Sequence, residues 1–180
     1  MQYKAYVDGS AGPEASKYGY LMYLGDNKEP FASGRFRAPK GTTNNQAEFM
    51  ALSSLLKHAL ALMHREEKNN LIVFSDSELL IKGVSGEYNI KKEHLARTLD
   101  EIKHNLDALR KMANCEVSIQ WIEGSHNPAH RVAYARQPET KKVKSRKSNS
   151  TKARKGELDA VMDWGNYADY RLYEEGIYAV

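Results

Sequence analysis

One cysteine, Cys115, stands among 180 residues. No intramolecular disulfide is possible, and the paired thiols of a structural zinc site are missing. Cys115 is expected as a small hydrophobe at the start of a buried strand. Long apolar runs are also lacking, because charges interrupt them well short of the roughly 18 residues that cross a bilayer. A membrane partner is therefore not expected. The opening MQYKAYVDGS has no apolar signal core and reads as a strand of the fold, so a cytoplasmic location is expected. Nor is there an excess of either charge through most of the chain. Residues 1–135 hold 17 lysines and arginines against 16 acids.

The net charge of +4 comes from elsewhere. Residues 136–156, RQPETKKVKSRKSNSTKARKG, hold nine cations and one acid and almost nothing apolar. Such a segment cannot bury a core and is expected as a basic disordered linker. Residues 157–180 reverse the sign, with six acids and one cation. There Trp164, Tyr167, Tyr170, Tyr173 and Ile177 recur every three or four residues, which suits an amphipathic helix docking on the domain or on a protein partner. This leaves one domain over 1–135, a common size.

Within it, residues 2–7 alternate as a strand, Tyr18–Leu24 forms a second and Phe31–Arg37 a third. A helix follows Gly41, started by a capping box of Thr43 and Gln46 and striped by Ala47, Ala51, Leu55, Leu56, Ala59 and Leu62. Leu71–Phe74 is a continuous apolar run, expected as a central strand buried on both faces. A short helix from about Ser77 is closed by Gly83 and Gly86. A long one from about Lys92 to Met112 carries Leu95, Leu99, Ile102, Leu106 and Leu109. Glu116–Ile122 is a last strand, and Pro128 suits the first turn of a last helix. The order βββ-α-β-α-α-β-α predicts an α/β fold. Its mixed five-stranded sheet has strands 1–3 as an antiparallel meander, then parallel crossovers through flanking helices.

Three acids fall where this topology gathers side chains. Asp8 is expected at the end of the first strand, Asp76 at the end of the fourth, and Glu48 in the first turns of the first long helix. Sites in such sheets form outside the carboxyl ends of the strands. Three carboxylates brought together repel unless cations lie between them, and hard divalent cations take oxygen ligands. Taken singly, each acid is an ordinary turn or cap residue.

Their surroundings, YVDGS, GTTNNQAEFMAL and IVFSDSELL, resemble in order and spacing the motifs of type 1 ribonuclease H. The resemblance covers about residues 1–135, and TTNNQAE is its most specific part. It implies a ribonuclease H-like fold and a monomeric endonuclease that cuts the RNA strand of RNA–DNA hybrids. It also implies two cations, Mg2+ or Mn2+, and 5′-phosphate products. Asp8, Glu48 and Asp76 then become catalytic metal ligands. Gly9, Ser10, Thr43, Asn44 and Asn45 match positions at the nucleic-acid minor groove, where RNA alone offers 2′-hydroxyls. Capping of the helix is the competing role for Asn44 and Asn45. Lys82, Lys91 and Lys92 suit phosphate contact or plain solvation.

The sequence departs from the family at its fourth ligand. Where an aspartate is usual, the stretch Ala129–His130–Arg131–Val132–Ala133 puts His130. An imidazole there predicts a bias toward Mn2+, since Mg2+ prefers oxygen, with surface placement beside a three-carboxylate site as the alternative. His126 lies in the preceding loop, where the family has a histidine that assists proton transfer. The missing aspartate leaves open a hybrid-binding or partner-docking module with weak or no cleavage. Another nuclease on the same architecture is the third reading.

Overall fold

The computed structural model describes residues 1–13, 15–63 and 66–134. The basic segment 136–156 and the aromatic segment 157–180 lie outside the described residues. Among the described residues five strands and four helices follow one another as β1 (Gln2–Ser10), β2 (Lys17–Leu24), β3 (Ala32–Arg37), α1 (Asn44–Leu62), β4 (Asn69–Ser75), α2 (Glu78–Ser85), α3 (Glu93–Met112), β5 (Cys115–Trp121) and α4 (Ala129–Tyr134). A 3-10 turn over Gly124–His126 joins the last two. None of these helices is long and apolar enough to cross a membrane.

The strands order as β3-β2-β1-β4-β5. β1 pairs antiparallel with β2, and β2 with β3, while β4 is parallel to β1 and to β5. The mixed sheet expected from the sequence is thus present. Its alternation sets the layers: Tyr3, Ala5 and Val7 of β1 are buried with Tyr20 and Met22 of β2, and with Leu71 and Val73 of β4. Phe49, Leu52, Leu55 and Leu56 of α1 join this core, as do Leu99, Ile102 and Leu109 of α3. Each such leucine contributes about 2 kcal/mol by leaving water. Cys115 is buried at the start of β5.

Two expectations need correction. β4 is not buried on both faces; its burial alternates residue by residue, with Leu71 and Val73 in the core cluster while Ile72 and Phe74 stay half-exposed on the other side. Phe74 stacks there on Tyr6 at 5.2 Å between ring centroids. β1 does not end at Asp8 either, since its pairing with β2 runs on to Ser10↔Lys17.

The helix starts follow local chemistry. The Gln46 N–H donates to Thr43 Oγ1 and the Thr43 N–H donates to Gln46 Oε1, completing the capping box. Ser77 caps α2 by accepting from the Leu80 N–H, and Gly86 ends it at φ 85°, a left-handed conformation that favours glycine.

Candidate active site

The site begins with a parting of strands. β1 and β4 pair only as far as Tyr6↔Phe74, while β1 stays on β2 to Ser10. Asp8 lies beyond that fork and is 4% exposed. Asp76 follows Ser75, the last residue of β4. Glu48 arrives from the second turn of α1 through a close backbone contact. A Cβ on Gly9 would stand 2.3 Å from the Ala47 carbonyl carbon and 2.4 Å from the Glu48 nitrogen. Only glycine at position 9 lets α1 cross β1 so closely. The Asp-Gly pair therefore supplies one carboxylate and the space that admits another.

The carboxylates sense one another. Burial is the main reason the Asp8 carboxyl is pushed up to about 6; the charge of Asp76 adds to this and that of His130 opposes it. Burial likewise pushes Glu48 up to about 7, with the Ser77 hydroxyl opposing and Asp76 and Asp8 adding. Asp8 Oδ2 and Glu48 Oε2 are both buried and accept no hydrogen bond. His130 Nδ1 stands 3.2 Å from Asp8 Oδ2, close enough to oppose the rise in that carboxyl's proton affinity. Buried, mutually repelling oxygens without donors are the donor chemistry a hard divalent cation satisfies. The spacing is not that of a closed ligand set, however. Among the described residues no group of three or more histidine, cysteine or acidic side chains is drawn together enough to hold an ion.

The remaining expected residues divide. His130, on α4, meets Asp8 although half its side chain is exposed. Asn44 Oδ1 accepts from the Ala11 N–H, tying the exit of β1 to the start of α1. Ser10 is buried at the end of β1 and Asn45 is exposed. Thr43 serves the capping box. His126 closes the 3-10 turn, exposed, 3.8 Å from Glu123 Oε2.

Sequence reasoning missed Asn127, which is 3% exposed. Its Nδ2 donates to the Val7 carbonyl at 2.9 Å and to Asp76 Oδ1 at 3.1 Å. Its Oδ1 accepts from the Ala129 N–H. An asparagine before Pro128 signals a helix cap, but nothing in the sequence links it to an acid 51 residues away. Gly124 was also missed: a Cβ there would stand 2.8 Å from Asp76 Oδ2.

Known proteins share the sequence pattern and the fold of this chain. The RNase H family pattern matches residues 1–133. Ribonuclease H of Chromobacterium violaceum is 32% identical over 131 residues, which is 66% of this chain and 80% of that protein. RNase H1 from the halophilic archaeon Halobacterium salinarum shares the fold with a TM-score of 0.63 at 24% identity, over 74% of this chain and 95% of its own. LC11-RNase H1, solved in complex with an RNA/DNA hybrid, does so with a TM-score of 0.62 at 22% identity, over 72% and 92%. On the match over residues 1–133, with the five-stranded mixed sheet beneath it, the chain belongs to the RNase H family.

Proposed function

We propose that the protein hydrolyses the RNA strand of RNA–DNA hybrids using two divalent cations, Mg2+ or Mn2+, and leaves 5′-phosphate ends. The observation that carries this reading is the trio Asp8, Glu48 and Asp76. The charge of Asp76 raises the proton affinity of Asp8 and Glu48 at the fork of the sheet, and Asp8 Oδ2 and Glu48 Oε2 are buried without hydrogen-bond donors. Family membership points the same way, and so does the hybrid bound to LC11-RNase H1.

In this reading Asp8, Glu48, Asp76 and His130 are the residues that would hold the two cations. Bound there, divalent cations would supply activation of water and stabilisation of a leaving oxygen. Gly9, Ser10, Thr43, Asn44 and Asn45 flank the acids along β1 and the start of α1, a suitable position for sugar edges and 2′-hydroxyls. His130 replaces an oxygen ligand by nitrogen, so Mn2+ supports faster turnover than Mg2+. His126, exposed in the turn before α4, assists proton transfer. The chain works as a cytoplasmic monomer; its basic segment adds salt-sensitive affinity for phosphate, and its aromatic segment docks a protein partner.

A hybrid-binding module with weak cleavage is the second reading, favoured by His130 standing where the family usually has an aspartate. Labelled RNA presented in hybrid, in duplex RNA and as single strands, each with Mg2+ and with Mn2+, separates the two. Cleavage confined to the hybrid supports the nuclease; binding without cleavage under either ion supports the module.

A further inference from the structure

Asn127 makes one connection to each part of the site. It reaches β1 through the carbonyl of Val7, the residue before Asp8; it reaches Asp76 through Oδ1; and it caps α4, the helix that carries His130. Every polar atom of its side chain is thereby engaged, and the side chain is buried. The other oxygen of Asp76 rests against Gly124, with no room for a Cβ between them. Asp76 is therefore held through Oδ1 by the segment between β5 and α4, where a side chain at 124 would crowd its Oδ2. An amide is needed for this, because both partners of Nδ2 are acceptors. A carboxylate at 127 would set oxygen against oxygen at both contacts, and a serine hydroxyl is too short to serve two acceptors at once.

We infer that Asn127 is a positioning residue, which fixes the Asp76 carboxylate and the start of α4 against β1 so that Asp76 and His130 face the same cations. This rests on the two-cation reading above. Side chains that orient metal ligands from behind commonly change affinity 10–100-fold when removed. A role limited to capping α4 makes a different demand, since aspartate and serine are as good at an N-cap as asparagine.

The test uses the full chain. Mn2+ is titrated calorimetrically into ion-free wild type, Asn127→Asp and Asn127→Ser, and the ion-free samples are melted in parallel. The expected result is a Kd for Mn2+ about 10–100-fold weaker in both variants, while both still melt cooperatively. Variants that bind Mn2+ as wild type does would overturn the assignment and restrict Asn127 to capping. If wild type itself binds no Mn2+, the two-cation reading fails and this inference fails with it. A second measurement needs no substitution: the Asn127 side-chain amide resonance of wild type should shift on Mg2+ addition, and one that stays fixed through saturation would also overturn the role.

Discussion

At residue scale the acids lower the stability of the protein in the state that lacks cations. Asp8, held near 6, and Glu48, held near 7, keep protons that their unfolded counterparts release below about pH 5. Between those limits the folded chain binds more protons than the unfolded one, so stability falls as pH rises through 6 and 7. The loss is on the order of 2 kcal/mol for each group. Urea midpoints of ion-free protein should therefore drop from pH 5 to pH 8, and Asp8→Asn should flatten that drop while abolishing cleavage. A midpoint that rises over this range would refute the electrostatics described. At His130 the expected outcome is a Mn2+ preference that disappears in His130→Ala; equal rates with both ions in wild type, unchanged by the substitution, would remove it from the ligand set. The three acids were legible because each sits in a distinctive short motif. Asn127 was not, because its meaning lies in a contact between segments far apart in sequence.

At the scale of elements, the start of α1 carries the most consequence. Thr43→Ala removes the capping box and should cost about 1 kcal/mol, a fall of a few degrees in Tm, read by thermal melting. Gly9→Ala is a harsher test, since its Cβ meets α1 backbone and not a side chain that can turn aside. It should cost about 1–3 kcal/mol as an overpacked contact and reduce cleavage by displacing Glu48. Cleavage and stability both at wild-type level would show that α1 can shift without harm. The helices were readable from caps and three- or four-residue stripes, and α3 begins within a residue of its expected start. The extent of β1 was misjudged because alternation marks burial and not pairing: β2 continues to pair after β4 has left. Trp121, in register with the alternating Val117 and Ile119, is 61% exposed, since periodicity cannot tell where the covering helices stop.

For the whole molecule, the sequence separates a nearly neutral domain from a basic segment and an acidic aromatic one. If the nine cations of residues 136–156 assist binding, removing residues 136–180 should raise the hybrid Kd at low salt and converge with wild type as salt increases. No difference at any salt would discard that role. The fold followed from element order, because three sequential strands and then helix-linked ones leave few topologies. The distances among the three acids did not follow, because no sequence pattern encodes how closely the ends of separate elements approach.

That these acids take up cations is the claim on which the proposed chemistry depends. Calorimetric titration of Mn2+ into the ion-free full chain at pH 6.5, repeated in two buffers of different ionisation enthalpy, counts the protons expelled as Asp8 and Glu48 take up the ion. The expected outcome is release of about one proton or more per protein, lost together with the binding heat in Asp8→Asn. Binding with no proton release, or binding that survives Asp8→Asn unchanged, would mean that the cations, and the chemistry assigned to them, do not belong at this fork of the sheet.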